Sequence, residues 1–191
     1  MAGKPRWFFA AMPVPEDLAR LQERIADAGI FDQLGRRMFA PENWHQTLSD
    51  RFWEPDEATR AALMRAGERL QFRPFTLGFR QVKWSRHSLN GRIYCTLVGA
   101  SGADELKHCV GAVRTALSEV GLMSPQGHSP HITLSYSAAD LHPNVDILPV
   151  QWTVRELLLV EGGGDPYRYS VHGRWPLSLP AAPQGQDDLF T

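Results

Sequence analysis

The sequence predicts a strand-rich α+β fold. Three observations carry that expectation. Several short runs alternate apolar with polar residues, and three longer stretches set apolar residues at helical spacing. The two kinds of segment do not follow a strict strand–helix alternation. The 191 residues suffice for one substantial core and are too few for two comfortable independent ones. One domain over 1–179 is expected, followed by a loose tail over 180–191 whose Gln184-Gly185-Gln186-Asp187-Asp188 shows no core-facing pattern.

Arg6–Met12 reads as the first strand. Lys4 and Arg6 before the apolar run Trp7–Val14 superficially look like a signal peptide, but the run is short and broken by prolines. Pro15-Glu16-Asp17 suits the first turn of a helix, and Leu18, Leu21, Ile25 and Ala28 then form one buried stripe, with Gly29 and Gly35 at its exit. Arg37–Ala40 and Trp44–Phe52 are strand candidates, and Pro55-Asp56-Glu57 opens a second helix reaching Leu70. Phe75, Leu77 and Phe79 alternate, as do Ile93, Cys95 and Leu97, and the connection between these strands holds the turn signal Asn90-Gly91. Leu106, Val110, Val113, Leu117 and Val120 line a third helix that Gly121 stops. Strands over His131–Tyr136, Val150–Gly162 and Tyr167–Leu177 complete the pattern.

Composition excludes several function classes. A hydrophobic fraction of 43% with 10% aromatics is that of a globular chain, not a disordered one. A formal net charge of −1 argues against a general nucleic-acid coat, which needs a basic surface, yet permits recognition of a single phosphate at an RNA end. Cys95 and Cys109 are the only cysteines, so neither a disulfide scaffold nor a thiolate metal site is expected, and a reducing cytoplasm fits. No stretch approaches the roughly 20 apolar residues that span a membrane.

Function is carried by two tetrapeptides, His45-Gln46-Thr47-Leu48 and His131-Ile132-Thr133-Leu134. On a strand, His and Thr share one face, while Leu48, Ile132 and Leu134 anchor the other in a core and Gln46 is a polar exception. Composition alone predicts roughly 0.03 occurrences of His-x-Thr-Leu, so two copies are a specific signal. Two such strands facing each other would present two imidazoles and two hydroxyls, the parts for metal-free acid–base chemistry on a phosphate. Histidine titrates near neutral pH and suits both the proton taken from attacking water and the proton given to the leaving oxygen. Thr47 and Thr133 can donate to non-bridging oxygens.

With these motifs, the Arg6–Pro15 segment, Asn43-Trp44, Pro130 and the closing Tyr167–Leu177 segment, the chain resembles the 2H phosphoesterases. It is most similar to the RNA 2′,3′-cyclic phosphodiesterases, historically called 2′-5′ RNA ligases. The resemblance implies two lobes, each an antiparallel sheet flanked by helices, related by pseudo-twofold symmetry around a central cleft. It implies hydrolysis of a 2′,3′-cyclic phosphate to a 2′-phosphate, with His131 taking the proton of water, His45 serving the leaving 3′ oxygen, and ligation secondary. The partners expected are RNA 3′ ends or nucleotides bearing a cyclic phosphate, with no cofactor, no membrane and no obligate protein partner for a monomeric chain. Two alternatives stand beside this: a 2H phosphoesterase acting on a small nucleotide such as cyclic ADP-ribose phosphate, and a non-catalytic module that binds RNA ends.

The chain departs from that family at two places. Tyr136 stands where the cyclic phosphodiesterases usually have Arg, on the opposite pleat from His131 if the strand is regular, and Ser49-Asp50-Arg51-Phe52-Trp53 replaces the usual Arg-Phe-Leu-Gly run. Arg51 is a candidate for the missing positive charge. Among Trp7, Phe8, Phe9, Tyr94 and Trp152, Phe9 is the candidate base-stacking residue, because its segment resembles the strand lining the family cleft. His128 and His142 lack the His-x-x-x-His spacing of a metal site; no metal is expected, and His128 is expected on an exposed loop. His87, His108 and His172 read as surface or structural residues.

Overall fold

Two antiparallel sheets share the work of displaying the motifs. In a computed structural model of the chain, residues 3–125, 127–165 and 167–178 are described, and the tail expected over 180–191 lies outside them. The first sheet holds β1 (Gly3–Ala11), β2 (Gln46–Thr47), β8 (Glu156–Gly164) and β9 (Arg168–Pro176) in the order β2-β1-β8-β9, with β3 (Phe52–Trp53) also pairing β1. The second holds β4 (Phe75–Arg86), β5 (Ile93–Ser101), β6 (His131–Ala138) and β7 (Val145–Val154) in the order β6-β5-β4-β7. The chain thus leaves the first sheet after β3, builds the second from one continuous stretch, and returns, so the first sheet is completed by strands distant in sequence.

Four helices cover the sheets: α1 (Pro15–Asp27), α2 (Ile30–Leu34), α3 (Glu57–Glu68) and α4 (Ala103–Glu119). α1 packs on β7, α3 on β8 and β9, α4 on β4, and α3 touches α4. The helical stripes are the buried ones: Leu21 and Ile25 of α1, Leu63 of α3, and Leu106, Val110, Val113 and Leu117 of α4 join one core with Trp7, Phe9, Leu157 and Leu159. Each such side chain contributes about 1.5–3 kcal/mol on burial. Gly67 lets α3 settle on the sheet, since a Cβ there would run into the Trp175 ring of β9.

Along β1 the alternation assigns two roles. Trp7, Phe9 and Ala11 face the main core, whereas Phe8 and Ala10 face the other side with Leu158, Val160, Met12 and Tyr169. Phe9 is fully buried and packs on Trp175 at 5.7 Å, so the expectation that it stacks on a base is corrected: its neighbour Phe8 is on the other face. A one-residue difference in parity exchanges core for cleft.

Three expected strands differ. Arg37–Ala40 is no strand: Gly35–Arg37 is a 3₁₀ turn, and the segment then makes a single crossing bond from the Phe39 N–H to the Leu134 carbonyl at 2.8 Å. Trp44–Phe52 shrinks to β2 and β3, because the residues between Thr47, opposite Ala10, and Phe52, opposite Trp7, outnumber those on β1 and loop out. Val150–Gly162 is two strands in different sheets, β7 and β8, separated at Arg155, whose carbonyl accepts the Leu177 N–H at 2.7 Å. Among the described residues no helix is long and apolar enough to cross a membrane.

Candidate active site

Each motif lies on an edge: β2 borders the first sheet and β6 the second. Between them opens a cleft of about 800 Å³ that Thr47, His131 and Thr133 line, together with Arg6, Arg51, Trp53, Arg92 and Tyr136. Leu48, Ile132 and Leu134 are fully buried behind the motifs, so the apolar half of each tetrapeptide anchors the polar half. His45 stands beside the cleft floor, its ring 5.4 Å from Phe8 and 5.0 Å from Tyr169.

The two imidazoles are held in the same way. His45 Nδ1 lies 2.8 Å from the Asn43 carbonyl and His131 Nδ1 lies 2.8 Å from the Ser129 carbonyl, in each case the residue two positions earlier. A carbonyl only accepts, so both Nδ1 atoms carry hydrogen and donate. In the neutral ring this leaves Nε2 as the basic nitrogen, and each His therefore exchanges protons through the same atom.

Gln46, the polar exception in the first motif, ties the two edges together. Its side chain is fully buried; Oε1 accepts the His131 N–H at 2.8 Å, and Nε2 donates to Thr47 O at 2.9 Å and Ser129 O at 3.3 Å. β6 has no strand beyond it, so the amide supplies the partner that a ladder would otherwise give the His131 N–H. The carbonyl that orients the His131 ring is the one Gln46 also holds.

Tyr136 reaches the cleft through a bulge. Thr133 pairs with Thr96 and Ser135 with Cys95, so two steps on β6 match one on β5. Leu134 and Ser135 are consequently both buried, and the alternation resumes with Tyr136 on the face of His131 and Thr133, which corrects the opposite pleat expected of a regular strand. Arg51 lines the cleft too, its Nη2 donating to the Tyr136 hydroxyl at 3.2 Å and its guanidinium 5.8 Å from the Phe8 ring. It ties the segment after β2 to Tyr136 of β6.

Electrostatics separate the two histidines. Burial lowers the His45 pKa from 6.5 to about 4, against a raising contribution from the Asn43 carbonyl, and the charges of Arg51, His131 and Arg6 lower it further. His45 is thus neutral at pH 7. His128 is not an exposed loop residue: it lines the cleft half-buried, its Nε2 is shielded from solvent, and burial followed by the His131 charge lowers its pKa. Burial pushes the Tyr169 hydroxyl well above its ordinary range, so it stays neutral under His45. Cys95 and Cys109 are buried with pKa values raised to about 12, far from thiolate chemistry. Among the described residues no three His, Cys, Asp or Glu side chains group to hold a metal ion.

Arg6, Trp53 and Gln46 were not singled out from sequence. Parity offered a signal for one of them, since Trp53, Arg51, Thr47 and His45 are all odd-numbered and share a face wherever the strand is regular. Gln46 had no such signal, because the partners that make it a bridge, Ser129 and His131, are more than 80 residues away.

No family model and no curated protein matches the chain. Solved structures do. A protein described as a phosphoesterase aligns at 23% identity over 93% of this chain and 100% of its own, with a TM-score of 0.70. E. coli LigT in complex with 3′-AMP aligns at 23% identity over 93% and 100%, with a TM-score of 0.69. TT0787 of Thermus thermophilus aligns at 21% identity over 90% and 97%, with a TM-score of 0.68. At these identities the likeness is one of fold: the chain has the two-sheet α+β architecture of LigT, as its resemblance to the 2H phosphoesterases implies.

Proposed function

We propose that this chain is a metal-independent phosphoesterase that opens 2′,3′-cyclic phosphates at RNA or nucleotide ends and leaves a 2′-phosphate. The observation that carries the proposal is the matched pair of motifs. On two facing sheet edges, a histidine donates Nδ1–H to the carbonyl two residues back and is followed two residues on by a threonine at the same cleft. In-line displacement at phosphorus needs a base on one side and an acid on the other, and two Nε2 atoms brought from opposite lobes meet that need. Thr47 and Thr133 orient the non-bridging oxygens, and Arg51 offsets their charge. Support for a nucleotide in such a cleft comes from LigT, which has been crystallised with phosphate and with 3′-AMP.

The charge state of the free site supports one division of the two protons. With a pKa of about 4, His45 is protonated in roughly one molecule in a thousand at pH 7. A group so seldom charged is a poor acid in the free site, so this reading gives His45 the proton of water and His131 the leaving 3′ oxygen. This reverses the orientation that the family resemblance implies.

The test is a substrate panel assayed in excess EDTA: cyclic mononucleotides, RNA with a 2′,3′-cyclic end, and cyclic ADP-ribose phosphate. Consumption of the first two with release of a 2′-phosphate is expected. Loss of activity in EDTA, restored by a divalent metal, would overturn the metal-free chemistry; protection of the cyclic phosphate without turnover would identify a binding module. Gln46→Leu is expected to lower kcat on the order of 10-fold to 10²-fold, because the His131 main chain loses the amide that sets its position. Steady-state kinetics of the folded variant check this, and an unchanged kcat would make Gln46 a packing residue only.

A further inference from the structure

We propose that the Arg6–Trp53 wall of the cleft is a second subsite, which takes an aromatic base and the phosphate joining that base to the reacting ribose. The inference rests on the phosphoesterase reading and specifies its substrate: a cyclic phosphate that carries a further nucleoside, rather than a lone cyclic mononucleotide.

The pairing register places the wall. Thr47 lies opposite Ala10, and Trp53 opposite Arg6. Four residues along β1 separate the two positions by about 13 Å, with the fully buried Phe8 on the same face of the strand between them. The reacting phosphate at Thr47 and an object at Arg6 therefore sit one after the other along one strand, as successive units of a nucleotide chain would.

The chemistry of the wall fits such a unit. Trp53 is 54% exposed, while Trp7, Trp44, Trp84 and Trp152 are buried. An exposed indole in a cleft otherwise lined by polar and charged side chains offers a π-face that any base can cover. Arg6 lies 5.3 Å from the Trp53 ring and 5.1 Å from the Tyr167 ring, so its guanidinium is held between two aromatics. Its Nε and Nη2 donate to the Tyr167 hydroxyl at 3.1 and 2.8 Å, and the Tyr167 carbonyl accepts from Asn43 Nδ2 at 3.2 Å. A guanidinium has five N–H donors, and this oxygen takes two of them. The cation is thus fixed in place with donors to spare for a phosphate, and its ordering cost is already met before a ligand arrives.

Charge supports the same assignment. The whole chain has a formal net charge of −1, yet Arg6, Arg51 and Arg92 line the cleft against one lining carboxylate, Asp50. One phosphodiester at the histidines needs less positive charge than this. Two sources carry the required chemistry, an RNA end and a dinucleotide such as an ADP-ribose derivative.

The experiment compares kcat/KM for adenosine 2′,3′-cyclic phosphate, a diadenosine ending in a 2′,3′-cyclic phosphate, and ADP-ribose cyclic phosphate. At least about a tenfold preference for one of the longer substrates over the mononucleotide is expected, and the one preferred identifies the source. In Trp53→Ala that preference should fall at least about tenfold, and Trp53→Phe should retain most of it. No preference in the wild type, or one that Trp53→Ala leaves intact, overturns the subsite. If none of the substrates is turned over, the phosphoesterase reading fails separately. The subsite is then judged by calorimetry with the diadenosine and mononucleoside 2′-phosphates: tighter binding of the longer ligand that Trp53→Ala abolishes supports it, and equal affinities overturn it.

Discussion

Replacing either His45 or His131 by alanine is expected to lower turnover by at least about 10²-fold while leaving the protein folded. Both rings are held through Nδ1 on a carbonyl two residues earlier, so each keeps Nε2 for proton exchange. His128 also lines the cleft, but burial disfavours its charged form, so it does not replace a lost acid. Circular dichroism and thermal melts establish that the variants are folded, and initial rates on a 2′,3′-cyclic phosphate give the loss. Near-normal rates in either variant would remove that histidine from the mechanism. Thr47→Ala and Thr133→Ala should cost less, since each removes one neutral hydrogen bond and no proton path.

The second large effect is in the pH profile. If His45 is the base, its neutral form is the active one, so kcat/KM should fall on the acid side with a limb near pH 4. Below that value His45 gains a proton and cannot accept another; above it the base is fully available. A nucleoside 4-nitrophenyl phosphodiester, whose leaving group needs no proton, should remove the need for a general acid and keep the acid limb. On that substrate His131→Ala should recover most of its activity and His45→Ala should not. Recovery by His45→Ala instead would restore the orientation implied by the family resemblance. The same shift has a stability consequence with a defined sign. Unfolded His45 titrates near 6.5 and folded His45 near 4, so the unfolded state binds more protons between these values and acidification through the window destabilises the fold. His45→Ala should therefore show a weaker dependence of the melting temperature on pH between 6.5 and 4.

What the sequence determined by itself is local in origin. The stripe Leu21–Ile25, the stripe Leu106–Leu117 and the alternation around Phe75 and Ile93 place helices and strands because side-chain direction repeats every 3.6 or 2 residues without reference to the rest of the chain. The same periodicity puts His131 and Thr133 on one face and Ile132 and Leu134 on the other, so the motif's chemistry is legible before any fold is known. What only the tertiary structure decided depends on groups far apart in the chain. Whether Phe8 or Phe9 faces the cleft follows from which side of β1 the helices cover. The bulge that turns Tyr136 inward is a mismatch between β5 and β6, visible only once the strands are paired. Gln46 becomes a bridge because its edge strand meets a second edge more than 80 residues away, and the low His45 pKa arises because Phe8 and Tyr169 close over the ring while Arg51, His131 and Arg6 converge on it. Burial and charge are sums over neighbours in space, and the order of residues along the chain does not contain those sums until the chain has folded.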